Sequence, residues 1–316
     1  MPEVAARSHV ELIDRMIAQA VDRSGLGFSQ LDAVAATAGP GLIGGVMVGL
    51  TAAKAIAIAH GLPLIPVNHL EGHALSARMT ESADFPYLLL LISGGHTQLL
   101  AVKGVGSYRR LGTTIDDAAG EAFDKSAKLL GLGQPGGPAI EAAARSGRAD
   151  RYAFPEPLSR REGCDFSLSG LKTAVRLAAE SLPTPTQRDI ADLAASFQAA
   201  LIRHLVARTV RAMELEEESF APPRRLVVAG GVAANAALRG ALKAAAEARG
   251  WLVLVPPAKY CTDNGAMIAW AGAERAAAKL VPPIDEALAF APRARWPLAE
   301  PIAGKAFGGG RKGPKA

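Results

Sequence analysis

One pattern constrains the fold of this 316-residue chain more than any other: an apolar strand runs into glycines, and a helix follows. It occurs at 31–60, where glycines 39, 41 and 44 precede an alanine-rich helix, and again after Arg225, where Gly230 and Gly231 do so. Glycine lets a ligand approach the backbone at such a turn, and the free N–H groups of a helix N-terminus favour an anion. The sequence therefore predicts strand–turn–helix units suited to an anionic ligand, in a chain long enough for two domains.

A nucleotide-binding motif coincides with the first of these turns. Residues 39–44 match G-x-G-x-x-G between a strand and a helix, which is the fingerprint of dinucleotide-binding proteins. The next predicted strand, Leu62–Val67, ends in Asn68-His69 and not in the acid that would hold a ribose. A dinucleotide-dependent oxidoreductase is therefore the weaker alternative, and the lack of a Walker A motif argues against a P-loop NTPase.

Two histidines four residues apart, His69 and His73, follow that strand. On a helix they share one face, where both imidazoles can bind a single metal ion; two helix-surface histidines are the alternative. Glu71 lies between them in an order that differs from the zinc-protease helix motifs, so a role as a protease base is not expected. Asp263, ahead of a late apolar helix, is either a helix N-cap or a metal ligand.

Other polar residues follow predicted strands or lie within helices. The run Tyr87–Ile92 predicts one strand of a hairpin, and Ser93-Gly94-Gly95 after it suits either a phosphate or a plain turn. Asn235 follows the second glycine pair and can bond a ribose or a purine. Asp124 lies inside a predicted helix and is a candidate for ligand binding.

Two further segments are interpreted as helix starts. Asp116 and Asp117 are expected to complement the dipole in the first turn of a helix. Residues 167–173 contain serines and a threonine and suit either a phosphate-facing turn or a capped helix start, and the cap is the preferred interpretation. After Pro282 the pattern predicts little order.

Composition and charge restrict the compartment and the partners. The segment Leu42–Ala59 is interrupted by glycines and Lys54, so it predicts a buried helix and no membrane span. Cys164 and Cys261 form no disulfide framework, which favours a reducing cytoplasm. The tail 301–316, predicted to be disordered, holds four basic residues and no acid and so carries most of the net charge of +5. The charge permits nucleic-acid binding but is weak evidence for it.

Six motifs together resemble the tRNA N6-adenosine threonylcarbamoyltransferase family, once described as O-sialoglycoprotein endopeptidases, over residues 2–297. They are Thr37-Ala38-Gly39-Pro40-Gly41, His69-Leu70-Glu71-Gly72-His73, Ser93-Gly94-Gly95-His96-Thr97, Asp116–Lys125, Ala229-Gly230-Gly231-Val232 with Asn235, and Thr262-Asp263-Asn264-Gly265. The resemblance implies an α/β fold with two lobes, of the actin-like or sugar-kinase-like (ribonuclease-H-like) kind. It also implies transfer of a threonylcarbamoyl group from threonylcarbamoyl-adenylate to N6 of adenosine at position 37 of tRNAs that read codons beginning with adenine, releasing AMP.

The resemblance also implies the site. His69, His73 and Asp263 would bind one metal ion, usually iron(II), with zinc as the other possibility. The residues that would hold the adenylate are Leu91, Ile92, Ser93, Gly94, Gly95, Asp124, Gly137 and Asn235. Glu141 stands where the family often has an aspartate. No general base is identified; His96 is a candidate only because it lies next to the glycine turn.

The domain organisation expected from the resemblance has a first lobe at 1–84, joined by a C-terminal helical segment at 264–296, and a second lobe at 85–263. Family members carry a phosphate loop and further strands ahead of the helix that opens here at Pro2, so the first lobe is expected to be incomplete, either from an internal start codon or as a remnant with impaired activity. A nucleotide-binding scaffold without chemistry is therefore a further alternative. By resemblance the partners are tRNA, a paralogous actin-like subunit and a small ATPase.

Overall fold

A computed structural model describes residues 2–81 and 83–299, and the predicted tail 301–316 lies outside this range. The described chain divides into two compact units, one formed by residues 2–79 with Asn264–Leu298 and the other by Thr80–Asp263. The helices of the first unit are α1 (Pro2–Ser24), α2 (Ile43–His60), α3 (His69–Thr80), α10 (Gly265–Ala277) and α11 (Ile284–Ala289), and its strands are β1 (Val34–Gly39) and β2 (Leu64–Asn68).

The first unit is built on a two-stranded parallel sheet. Strand β2 is buried at every position, and it pairs with β1 in a register that places Val34 opposite Leu64. Helix α10 lies close to this sheet because Gly272 has no side chain; a Cβ there would come within 2.6 Å of the Ala35 Cβ. The order after Pro282 was underestimated, since α11 forms and its Ala287 is fully buried.

The second unit contains a five-stranded sheet in the order β5-β4-β3-β6-β7. Its strands are β3 (Tyr87–Ile92), β4 (Thr97–Gly104), β5 (Ser107–Thr113), β6 (Arg224–Ala229) and β7 (Trp251–Leu254). Its helices are α4 (Ala119–Leu129), α5 (Gly136–Ala144), α6 (Ser169–Glu180), α7 (Gln187–Glu216), α8 (Ala236–Glu247) and α9 (Ala258–Cys261), with a 3-10 segment at Gly231–Ala234.

The central strand β3 organises this sheet. All of its residues are buried, and it pairs antiparallel with β4 and parallel with β6. The predicted hairpin is thereby confirmed, whereas strand β5 was not foreseen because its Ser-Tyr-Arg-Arg sequence has no apolar run. The parallel pair places the ends of β3 and β6, and the glycine turns that follow them, at the same edge.

Two helices are long and apolar enough to cross a membrane by length and composition alone, Ile43–His60 and Gln187–Ser219, and core helices of soluble proteins pass the same test. The second is mostly buried within the protein. The prediction that 42–59 forms a buried helix was only partly right. In α2 the buried residues are Leu50, Ala53 and Ala57, while Ile43, Met47 and Ile58 are exposed.

Candidate functional site

The two histidines meet as the spacing predicts, because α3 begins at His69 and brings His73 one turn later onto the same face. Their ring centroids lie 4.8 Å apart with the planes nearly perpendicular. His73 is fully buried and His69 is partly exposed. The interpretation of both as helix-surface histidines does not fit a fully buried His73.

Asp263 completes a potential ligand set with these histidines. It directly precedes Asn264, the residue at which the first unit resumes. One ligand atom from each of the three residues lies within 4.8 Å of the others. Two imidazoles and a carboxylate suit a transition-metal ion, so the residues fit a resident metal.

Asp263 is not the N-cap of the following helix, which corrects one of its two predicted roles. The side chain of Asn264 accepts the hydrogen bond from the Met267 N–H and caps α10. The sequence Asp-Asn offers two good capping residues in succession, and only the backbone geometry decides which of them is used.

Contacts around α3 hold the histidines in place. Asn68 accepts a hydrogen bond from the Leu70 N–H and donates one to the Trp296 carbonyl oxygen. Glu71, between the histidines, is buried and forms an ion pair with Arg275 at 3.1 Å. Its carboxylate thus links α3 to α10 within the first unit.

The second unit contains a cavity of about 280 Å³ at the edge where the glycine turns lie. Its lining residues come from the turn after β3, helix α4, helix α5 with the residue before it, the 3-10 segment after β6 with the residue that follows it, and the residue after α9. They are Gly94, Gly120, Phe123, Asp124, Pro135, Gly137, Pro138, Glu141, Gly231, Val232, Ala234, Asn235 and Thr262. Five of the predicted substrate residues, Gly94, Asp124, Gly137, Glu141 and Asn235, are in this set.

The two carboxylates of the cavity each contact a helix N-terminus. Asp124 Oδ1 accepts a hydrogen bond of 2.8 Å from the Gly136 N–H, at the start of α5. Glu141 Oε1 accepts one of 3.0 Å from the Ala236 N–H, at the start of α8. Glutamate at this position therefore links α5 to the turn after β6.

Asn235 was predicted only to contact a ligand, and the structure shows that it also has a structural role. Its Oδ1 accepts from the Leu238 N–H and caps α8, and its Nδ2 donates to Gln198 Oε1. An amide has one further lone pair and one further N–H, so this residue can still contact a ligand.

The remaining predicted substrate residues are not among the residues that line the cavity. Leu91 and Ile92 are buried inside β3. Ser93 Oγ accepts a hydrogen bond from the His96 N–H within the glycine turn, and Gly95 is exposed there. Among the described lining residues, neither Gly95 nor His96 occurs.

A close backbone contact joins the turn after β3 to helix α4. A Cβ at Gly120 would come within 2.7 Å of the Gly94 Cα, and the Gly120 N–H donates to the Ser93 carbonyl oxygen. Only glycine fits here, so the start of α4 lies directly on the turn. The sequence contained this glycine in a recognised motif but offered no sign of what it contacts.

The loop ahead of α4 is held by a partly buried polar network that the sequence interpretation missed. Asp116 accepts hydrogen bonds from the hydroxyls of Ser167 and Ser169 at 2.6 and 2.9 Å, and from the Leu168 and Ser169 N–H groups. Burial opposes the charge of Asp116, but these hydrogen bonds outweigh it and lower the pKa of the carboxyl. The predicted cap at 167–173 is wrong, since no side chain caps α6.

His204 of α7 extends this network. Its Nε2 accepts from the Ser167 N–H at 3.2 Å, so the neutral ring carries its proton on Nδ1, and the ring packs edge-on against Phe166. Burial, and then the charge of Arg208, lower the pKa of His204 to about 4. Asp116 and His204 thereby fix the loop that leads into Gly120 and Asp124.

The glycine fingerprint at 39–44 is filled by the protein itself. A Cβ at Gly39 would collide with the Arg293 carbonyl oxygen, and one at Gly44 would come within 3.0 Å of the Ala6 Cβ. These glycines permit close packing of the chain. The fingerprint therefore gives no support to a dinucleotide site.

Comparison with known proteins is consistent with this geometry. The family model described as tRNA N6-adenosine threonylcarbamoyltransferase matches residues 1–270. A protein of that name from Sinorhizobium medicae is 58% identical over 319 residues, covering 100% of this chain and 87% of the relative. Another from Nitrobacter winogradskyi is 60% identical over 299 residues, covering 94% of this chain and 82% of the relative.

Among solved structures, HypF of T. kodakarensis is similar in fold. The TM-score is 0.62 at 18% identity, covering 83% of this chain and 43% of that one. A full-length HypF in its phosphate- and nucleotide-bound form gives a TM-score of 0.51 at 14% identity. These similarities confirm the predicted α/β fold class.

Proposed function

This chain belongs to the tRNA N6-adenosine threonylcarbamoyltransferase family, and we propose that the cavity of its second unit binds the adenylate that carries the threonylcarbamoyl group. As a member it is an acyltransferase that forms threonylcarbamoyladenosine in tRNA. The observation that carries the proposal is the convergence of Gly94, Asp124, Gly137, Glu141 and Asn235 on one cavity.

The chemistry of the lining suits an adenylate. Gly94, Gly137 and Gly231 each have open space where a Cβ would lie, so a phosphate can approach their backbone. The carboxylates of Asp124 and Glu141 are acceptors for ribose hydroxyls. The apolar part of the wall, which includes Phe123, Pro135 and Val232, suits the purine.

The transfer step joins the adenylate in the cavity to the tRNA acceptor. N6 of the tRNA adenosine attacks the carbamoyl carbon, the new N–C bond forms, and the bond from that carbon to the phosphate oxygen breaks, so that AMP leaves and N6 loses a proton. An exocyclic adenine amine is a weak nucleophile, so the rate depends on orienting the two substrates. The role of this chain's cavity residues is thus to hold the adenylate with its phosphate anchored. The acceptor is adenosine 37 of tRNAs that read codons beginning with adenine.

An Asp124→Asn substitution tests the adenylate site. It keeps an oxygen for the Gly136 N–H but removes the charge that would accept the ribose hydroxyls. Hydrogen bonds to charged groups contribute about 1.5–3 kcal/mol, so we expect adenylate affinity to fall at least about tenfold. AMP release and the mass of the tRNA product should fall with it.

Asp150→Asn is the matched control, because Asp150 is an exposed aspartate paired with Arg148 on the surface. Equal affinities of Asp124→Asn and wild type for the adenylate would place the ligand elsewhere. Adenylate binding without AMP release in the presence of tRNA would favour the alternative of a nucleotide-binding scaffold.

We also propose that His69, His73 and Asp263 bind one iron(II) ion, with zinc as the competing ion. Imidazole and carboxylate ligands suit either metal. A divalent ion in such a site supplies Lewis acidity toward a carbonyl oxygen. The protein would work in the cytoplasm, where tRNA is modified. Its partners there would be tRNA, a paralogous actin-like subunit and a small ATPase.

Elemental analysis of protein purified without chelator tests this assignment. We expect close to one ion per chain in wild type and less than about a tenth of that in His69→Ala, since a two-ligand site binds weakly. His60→Ala, at the exposed end of α2, should keep the metal. A wild-type chain that stays metal-free after incubation with iron(II) would refute the site.

A further inference from the structure

Two ion pairs join α3, the helix of the two histidines, to α10, the helix that follows Asp263. The Glu71 carboxylate lies 3.1 Å from the Arg275 guanidinium, and the Arg78 guanidinium lies 2.7 Å from the Glu274 carboxylate. Their polarity is crossed, since α3 contributes the acid to one pair and the base to the other. An arrangement that exchanged the partners would place like charges against each other, so the two pairs specify one position of α10 relative to α3.

The burial of these pairs distinguishes them from ordinary surface contacts. The side chains of Glu71 and Glu274 are only 2% and 12% exposed, and those of Arg275 and Arg78 are 25% and 23% exposed. An exposed ion pair contributes little to stability, but removing one partner of a buried pair leaves a charge that is neither hydrated nor neutralised. Each acid in these two pairs therefore depends on its arginine.

A side-chain contact joins the same two helices near the start of α10. A Cβ at Gly72 would lie 2.8 Å from Ile268 Cδ1 and 3.3 Å from Met267 Cγ, so α3 approaches α10 closely at the residue before His73. The Met267 N–H donates to Asn264 Oδ1, which caps α10. The residue before this cap is the third potential metal ligand, so the position of α10 sets where the chain places that carboxylate.

We infer that the two ion pairs between α3 and α10 position the metal ligands, because they hold Asp263 at the distance from His69 and His73 that one ion requires. The inference rests on the proposed metal site. Two of the three ligands lie on α3 and the third lies just ahead of α10, and their ligand atoms are within 4.8 Å of one another. Groups that orient metal ligands without touching the ion typically change metal affinity by about 10–100-fold when they are mutated.

Charge reversal in the more exposed pair tests this role. Arg78→Glu and Glu274→Arg each bring like charges together between the helices, whereas the double variant Arg78→Glu/Glu274→Arg restores an attractive pair of reversed polarity. Cobalt(II), which accepts imidazole and carboxylate ligands, is added to chelator-treated protein and followed by its visible absorption. We expect its affinity to fall on the order of tenfold in each single variant and to recover in the double variant.

The signs of the two single effects separate positioning from a direct effect of charge on the ion. Arg78→Glu replaces a positive charge by a negative one, and Glu274→Arg does the reverse. A purely Coulombic effect would therefore strengthen cobalt(II) binding in the first variant and weaken it in the second. Positioning predicts weaker binding in both, with an altered absorption spectrum because the carboxylate ligand is displaced.

Two milder substitutions test the more buried pair. Arg275→Lys keeps a positive charge opposite Glu71 and should retain most of the cobalt(II) affinity, whereas Arg275→Gln should lose about as much as the reversed variants. Arg176→Glu is the matched control, because it reverses an arginine that is paired with Glu180 on α6, in the second unit. It should leave the affinity and the spectrum unchanged.

The outcomes separate this inference from the proposed metal site. Wild-type protein that binds no cobalt(II) would refute the site and the inference with it. Wild-type binding that persists unchanged in Arg78→Glu, Glu274→Arg and Arg275→Gln, even with lower melting temperatures, would show that the pairs are merely structural and leave the site standing. Changes of opposite sign in the two reversed variants would also overturn the positioning role. Weaker binding in both, with recovery in the double variant, supports it.

Discussion

Two glycine turns with the same sequence pattern have opposite surroundings. Each follows a buried strand end, each starts with a glycine of positive φ, Gly39 at +141° and Gly230 at +95°, and each leads into a helix. In both, a Cβ on that first glycine would collide with the chain's own backbone, at Arg293 and Ile92 respectively. The difference lies in the glycines that follow.

Protein atoms fill the first turn and leave the second open. Gly41 and Gly44 lie against Val46 and Ala6, with 3.0 Å from a would-be Cβ to each. Gly231 has no atom within 4 Å of that position and lines the cavity. A glycine-rich turn after a strand thus indicates that other atoms approach its backbone closely. The rest of the fold determines whether those atoms belong to a ligand or to another part of the chain.

The largest expected effect, a loss of stability, comes from Gly39→Ala in the first turn. It forces an L residue to a φ of +141° and drives a methyl group into the Arg293 carbonyl oxygen. Strain and overpacking of this kind each cost about 1–3 kcal/mol, so we expect a loss of roughly 2–5 kcal/mol in the free energy of unfolding. Urea titration measures it.

Gly231→Ala is the matched substitution in the second turn. It meets no atom, so stability should change by less than about 1 kcal/mol, while adenylate affinity falls because the methyl group enters the cavity. Equal destabilisation by the two substitutions, with adenylate binding intact in both, would break the comparison.

Acid pH is expected to lower the free energy of unfolding by a somewhat smaller amount. The cavity wall includes Gly120 and Asp124 of α4, and the loop ahead of α4 is held by Asp116 and His204, whereas the first turn rests on backbone and aliphatic contacts. The folded state lowers the pKa of His204 from 6.5 to about 4. The stability due to the neutral ring is therefore complete above pH 6.5 and is lost as the pH falls toward 4, by about 3 kcal/mol in all.

Unfolding by urea at pH 7, 5.5 and 4.5 checks this expectation, with hydrogen exchange to locate the change. His204→Gln keeps an acceptor for the Ser167 N–H and should remove most of the loss between pH 6.5 and 4.5. Asp116 contributes in the same direction at lower pH, because its lowered pKa makes its stabilisation present above 3.8 and lost below. If His204→Gln loses stability as steeply as wild type when the pH falls, a group other than His204 is responsible for the loss.

The sequence by itself determined the features that depend only on residues close together in the chain. The i, i+4 spacing of His69 and His73 placed two imidazoles on one helix face, because helix geometry alone fixes that relation. The apolar runs that lead into glycine turns located β1, β3 and β6, since a buried strand needs such a run. The motif resemblance led to the family and to five residues that line one cavity.

The tertiary structure decided what each polar residue contacts. Asp116 was expected to complement a helix dipole, yet it binds Ser167 and Ser169, which lie about fifty residues further along the chain. Asn264 and not Asp263 caps α10, and Glu71 pairs with Arg275. Such partners depend on contacts between distant segments, and these arise from the burial of whole elements, which no short pattern encodes.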